Sequence, residues 1–200
     1  MDNRLYPLFL DLQGRPVLVV GGGAMGGQKA LGLVAAGAQV TVVAPWVGDA
    51  VAAAAAAGQL RWVARRFLPA DVDGVCLVIA ATGDPAVNAE VARHGAAARL
   101  FVNAVDDPQS ASAYSAAVLE RGPVKVAFST GGRAPAVARL LRDLVALVLP
   151  VEGEVLTWVA RAEELRRTWR EAGVPMGVRY GKLLQELLRG ATPATAGVQP

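Results

Sequence analysis

The chain has 200 residues, 54% hydrophobic and 18% charged, with a mean hydropathy of +0.37. These values describe one compact unit, or one domain with an appendage, and exclude a largely disordered chain. No apolar run reaches the roughly 18 uninterrupted residues of a spanning helix, and the N-terminus shows no basic region leading into an apolar stretch, so a cytoplasmic location is expected. One cysteine and one histidine supply neither an internal disulfide nor an N/S zinc cage, and no protein metal site is expected.

The formal net charge of +3 is unevenly placed: residues 1–120 hold 8 basic and 10 acidic side chains, 121–150 hold 5 and 1, and 151–200 hold 7 and 6. Nucleic acid is the first partner a basic stretch brings to mind, yet Phe128 is the one aromatic within it and no nucleic-acid motif appears. A small polyanionic ligand fits better.

In chain order, Pro16 to Val20 reads as an apolar strand, and Ala24 to Ala36 as a helix after a glycine cluster. Gln39 to Ala44 is a second strand, Val47 to Gly58 a helix, Leu60 to Ala64 a third strand, Val75 to Ala80 a fourth, Asp84 to Ala98 a helix and Leu100 to Asn103 a fifth strand. Strands this apolar on both faces, separated by helix-length segments, predict a doubly wound α/β domain with a parallel sheet of Rossmann type. The rhythm then changes. Ala113 to Leu119 and Val124 to Ser129 read as a hairpin about Glu120-Arg121-Gly122-Pro123, followed by helices over Ala134–Leu149, Glu152–Ala172 and Met176–Arg189 and a frayed tail. The organisation expected is a dinucleotide domain over 1–112, a dimerisation segment over 113–149 and a small helical domain over 150–200.

Gly21-Gly22-Gly23-Ala24-Met25-Gly26 satisfies G-x-G-x-x-G between a strand and a helix. There glycines permit a tight turn and close backbone approach, and the helix start offers free N–H groups to a pyrophosphate. The acidic residue expected at the end of the second strand is missing; Ala44-Pro45-Trp46 stands there, so backbone and the Trp46 ring are left to hold the ribose. No arginine follows either, which favours NAD over NADP. Ala80-Ala81-Thr82-Gly83-Asp84 follows the fourth strand and is expected to line the cofactor, with Asp84 capping the next helix and Pro85 at its first position. Asn103-Ala104-Val105-Asp106-Asp107-Pro108 places two carboxylates after the fifth strand, either as a general base or as loop groups before a proline turn. Ser129-Thr130-Gly131-Gly132-Arg133-Ala134-Pro135 joins a strand to a helix as an anion-binding nest, with Arg139 and Arg142 further along.

Taken together, these residues resemble the precorrin-2 dehydrogenase family, the N-terminal module of sirohaem synthases. Four passages carry the likeness over about 130 residues: Tyr6-Pro7-Leu8-Phe9-Leu10-Asp11-Leu12; Val20-Gly21-Gly22-Gly23 with Lys29-Ala30; Ala80-Ala81-Thr82 to Asn88 with Val102-Asn103-Ala104-Val105-Asp106; and Phe128-Ser129-Thr130-Gly131-Gly132-Arg133-Ala134-Pro135. The resemblance implies NAD-dependent oxidation of precorrin-2, a tetrapyrrole, to sirohydrochlorin by a homodimer, with metal insertion added in some members. It implies Asp106 as the catalytic carboxylate. It implies dinucleotide contacts at Gly23, Ala24, Met25, Pro45, Trp46, Ala81 and Thr82, beside Gly21 and Gly22 of the glycine motif, and it matches the hydroxyl-glycine turn at Thr130, Gly131 and Gly132; with Asn103 and Arg133, these are the expected substrate contacts. One departure is Gln28, where many members have arginine. A non-catalytic NAD-sensing dimer and an NAD-dependent reductase of a small carbonyl compound are the competing readings; the first has no use for Asp106 or the basic turn, and the second lacks a Tyr-x-x-x-Lys pair.

Overall fold

The computed structural model describes residues 5–105 and 107–190, which divide into two compact units. The first comprises residues 5–116 and 129–135, the second 117–128 and 136–190.

The first unit is built on five parallel strands, β1 (Pro16–Val20), β2 (Gln39–Val43), β3 (Arg61–Val63), β4 (Leu77–Ala80) and β5 (Phe101–Ala104), in the order β3-β2-β1-β4-β5. Helices α1 (Ala24–Ala35), α2 (Asp49–Ala56) and α3 (Pro85–Ala97) and a short 3-10 turn (Pro69–Val72) link them. Alternation along each strand feeds two cores. Val17, Val19, Val40, Val42, Leu77 and Ile79 pack with Ala30 of α1 and Val51 of α2. Leu18, Val20, Val43, Val78 and Val102 pack on the opposite face with Val91 of α3. Both faces of the central strands are therefore dry, which is why the sequence shows continuous apolar runs instead of alternation. The chain winds outward from β1 to β3, then returns to β4 and winds the other way, so the switch point lies between β1 and β4.

The second unit holds the antiparallel hairpin β6 (Ala117–Arg121) and β7 (Val124–Phe128), closed by Gly122-Pro123, and helices α4 (Pro135–Val148), α5 (Glu152–Glu171) and α6 (Met176–Gly190). Gly122 turns with φ +54° beside Leu156 of α5, and Arg161 of α5 reaches Glu164 at 2.7 Å and Glu186 of α6 at 3.7 Å. Few of its described side chains are buried: Leu119, Ala138 and Val155.

The hairpin departs from expectation. Its first strand begins at Ala117, four residues later than the apolar pattern predicts. Residues 112–113 are already engaged: both Ser112 and Ala113 donate their N–H to the carbonyl of Val102 at 2.9 Å, and the Ser112 hydroxyl accepts from the Val102 N–H. The segment thus seals the outer edge of β5 before it enters the hairpin. Helix α2 likewise starts at Asp49 and not at Val47, because Gly48 serves as its extended N-cap.

Candidate dinucleotide and substrate site

Parallel strands all end on one edge, so the loops after β1, β2, β4 and β5 gather there. Gly21 leaves β1 with φ +117° and donates its N–H to the carbonyl of Val43 at 3.1 Å. A Cβ at Gly21 would strike the Ala81 carbonyl across the switch point, one at Gly22 the Trp46 carbonyl, and one at Gly26 the Gly21 carbonyl. These three glycines are required by the protein's own packing. Gly23 is different. An added Cβ there would meet nothing nearer than the edge of the Trp46 indole, at 3.7 Å.

Gly23 is also the N-cap of α1, in extended conformation with no side-chain cap, and the first turn has no acidic residue. The opening N–H groups therefore have no side-chain cap, and this end of the helix carries about half a positive charge. Ala24 and Met25 are exposed on that turn, and Pro45 and Trp46 are exposed beside it. A cleft of about 180 Å³ opens between the starts of α1 and α2, lined by Gly22, Gly23, Ala24, Gly48 and Asp49 among others. The fit to a dinucleotide is good: a cradle that a side chain at Gly23 would fill, uncapped N–H donors for a pyrophosphate, and a flat exposed ring.

The loop after β4 is held from within. Buried Asn88 accepts from the Thr82 N–H at 3.0 Å and from its hydroxyl at 2.8 Å, and returns its amide to the Thr82 carbonyl at 3.1 Å. Asp84 accepts from the Ala86 N–H at 2.9 Å and Pro85 opens α3, as the sequence predicts. Thr82 consequently lines the edge through a fixed backbone, its hydroxyl already committed inside the loop.

After β5, Asn103 is buried at 9% exposure. Its amide nitrogen donates to the Ala113 carbonyl at 2.9 Å, and its oxygen accepts from the Ser115 hydroxyl at 3.3 Å. That hydroxyl in turn accepts from the Lys29 ammonium at 2.8 Å. Lys29 is half-buried, and burial lowers its pKa below the ordinary lysine value. The Lys29–Ser115–Asn103 chain ties α1 to the loop after β5, and sequence reasoning assigned it no role. Its signal was present: Lys29 is the one charged residue of α1.

Asp106, the nominated base, lies outside the described residues. Its neighbour Asp107 accepts from the N–H groups of Gln109 at 3.2 Å and Ser110 at 3.3 Å. The Ser110 hydroxyl, with these backbone donors, holds the Asp107 carboxyl below the usual range. Asp107 is a turn-forming carboxylate.

The hydroxyl-glycine turn comes back to this same unit. A Cβ on Gly132 would lie 3.4 Å from the Tyr114 ring and 3.6 Å from Pro108, so the turn sits against the loop after β5. Gly131 and Gly132 are both left-handed, at φ +64° and +76°. The Ser129 hydroxyl accepts from the Gly131 N–H at 3.2 Å and the Thr130 hydroxyl from the Ala134 N–H at 3.0 Å. Arg133 is exposed on the turn. Arg139 and Arg142 lie on α4 in the second unit, where Arg142 pairs with Asp143 at 2.8 Å.

A parallel sheet with an uncapped glycine turn at its switch point defines a dinucleotide-binding α/β protein. The family model described as "Putative NAD(P)-binding" matches residues 8–117, and the chain belongs to that family. Siroheme synthase 3 of Aeromonas hydrophila is 45% identical over 144 residues, which are 72% of this chain and 31% of that protein. Siroheme synthase 1 of Pectobacterium atrosepticum is 41% identical over 165 residues, 82% of this chain and 33% of its own length. The chain thus spans about a third of the curated relatives it matches. Among solved structures, SirC, a precorrin-2 dehydrogenase, superposes with a TM-score of 0.72 at 28% identity, over 90% of this chain and 88% of that one.

Proposed function

We propose that the chain oxidises precorrin-2 to sirohydrochlorin with NAD as hydride acceptor, as a cytoplasmic homodimer. One observation carries the reading: the first unit holds an open, uncapped glycine turn at the switch point and, against the loop that follows β5, a second turn that carries two hydroxyls, two left-handed glycines and the exposed Arg133. The similarity to SirC and to siroheme synthases supports the choice of substrate.

When bound, the nicotinamide supplies the hydride acceptor. The residues do the rest. Gly21, Gly22, Gly23, Ala24 and Met25 hold the pyrophosphate on the start of α1, while Pro45, Trp46, Ala81 and Thr82 flank the dinucleotide. Thr130, Gly131, Gly132 and Arg133 take carboxylates of the tetrapyrrole, an octacarboxylate that needs such donors. Asn103, its amide engaged on both sides, positions the loop that presents the substrate face. Asp106 receives or steers the proton lost on oxidation. The homodimer is assigned to the apolar face of the second unit, where Leu140, Leu144 and Leu147 of α4 are 56%, 49% and 81% exposed.

Incubation with precorrin-2 and NAD, followed by absorbance of the product, tests the reading; no sirohydrochlorin at saturating NAD would overturn it. In Asp106→Asn, turnover is expected to fall by roughly 100-fold or more with NAD affinity retained, the usual scale for lost general-base help. Asp107→Asn, at the neighbouring turn carboxylate, is expected to keep turnover and lose some stability.

A further inference from the structure

The sequence leaves the ribose without the acidic partner that ordinarily follows the second strand. The structure supplies a carboxylate from elsewhere. After Trp46 the chain folds back, and the Gly48 N–H donates to the Gly22 carbonyl at 3.0 Å, pinning the start of α2 against the glycine turn. Both helices begin on extended glycine caps, Gly23 and Gly48, without side-chain cap bonds. Two uncapped helix starts, each carrying about half a positive charge, therefore border one cleft. Left so, the cleft would be a double phosphate seat. Asp49, the first residue of α2, lines it, and among the lining residues it has the one ionisable side chain.

Resting on the dinucleotide reading above, we propose that Asp49 determines which dinucleotide this cleft accepts: its carboxylate accepts hydrogen bonds from an unphosphorylated ribose and repels a 2′-phosphate. The pyrophosphate then takes the α1 side, where no acidic residue stands in the first turn, and the ribose hydroxyls take the α2 side. A carboxylate and a phosphate dianion at one helix start compete for the same N–H donors as well as repelling each other directly. The competing account is that Asp49 only offsets the α2 dipole, a role any acidic first-turn residue fills. That account predicts the same loss for both nucleotides. The two therefore separate on a ratio of affinities and not on either affinity alone.

The test is calorimetric titration of the full chain with NAD and with NADP, in the wild type, Asp49→Asn and Asp49→Glu. Expected is a wild-type preference for NAD, a reduction of that preference by at least tenfold in Asp49→Asn, mainly through tighter NADP binding, and a preserved preference in Asp49→Glu. An unchanged NAD:NADP ratio in a folded Asp49→Asn, or equal binding of the two by the wild type, would overturn the inference. Binding of neither nucleotide by the wild type would overturn the dinucleotide reading itself, and this inference with it.

Discussion

The two units solve the problem of burial in opposite ways. In the doubly wound unit the central strands are covered on both faces, with Val17, Val19 and Val78 at 0% exposure, so the unit contains its own core. In the second unit a two-stranded hairpin and three helices bury few side chains, and α4 turns Val137, Leu140, Leu141, Leu144, Leu147 and Val148 outward at 43–81% exposure. A hairpin of two strands is marginal alone in water, and an apolar stripe of that size is a surface awaiting a cover. Self-sufficiency thus goes with the part that binds the small ligand, and incompleteness with the part assigned to self-association.

The sharpest way to break this contrast is to damage each unit in turn. Leu18→Ala, in the core on the α3 face, is expected to cost about 2–5 kcal/mol of stability, read as a lowered denaturant midpoint for the first unit. Leu144→Asp, on the open face of α4, is expected to leave helical content unchanged and convert a dimer to a monomer of 20.7 kDa in sedimentation. A wild-type protein that already sediments as a monomer at micromolar concentration would remove the assigned role of that face.

A second comparison sharpens the site. Gly21→Val places a branched side chain at φ +117° against the Ala81 carbonyl and is expected to prevent folding of the first unit, seen as loss of a cooperative melt. Gly23→Asp has room and is expected to fold, yet to abolish NAD binding by calorimetry, because bulk and negative charge then face the pyrophosphate. Wild-type affinity in folded Gly23→Asp would separate the turn from the nucleotide.

The smallest effect concerns pH. The Arg65 guanidinium, at 2.7 Å from Asp71, holds that carboxyl below its usual range, and the Leu68 N–H adds to this at 2.8 Å while partial burial opposes it. A carboxylate with a folded pKa below its unfolded one contributes stability that is complete above the unfolded value, near 4, and lost as pH falls through the folded value. Asp71→Asn is therefore expected to flatten the acid limb of stability as pH falls below the ordinary carboxylate range, measured by urea midpoints, with little change in the slope at neutral pH.

Much of this is legible in the sequence. Pro16 to Val20 was recognised to the residue because strands dry on both faces leave an uninterrupted apolar run, and Asp84-Pro85 announced a helix start through local chemistry alone. The glycine turn was legible as a turn, yet which glycine serves packing and which serves a ligand was not. That distinction depends on Ala81 and Trp46, 60 and 25 residues from Gly21. The start of β6 failed for the same reason: Ala113 looks like strand, and only its bond to Val102 shows it spent on another sheet's edge. Asp49 was overlooked because the acid was sought at the strand end, and the return of Gly48 onto Gly22 is a tertiary event.

That sealed edge also bears on the order in which the chain becomes safe during synthesis. When residue 105 has emerged, all five parallel strands exist, but the Val102 N–H and carbonyl still face water on the open side of β5. Such a bare edge invites pairing with a neighbouring nascent chain. Eight residues later Ser112 and Ala113 arrive and occupy both groups. The interval of exposure is thus confined to the time taken to make a handful of residues, well under a few seconds at ordinary elongation rates of about 5–20 residues per second.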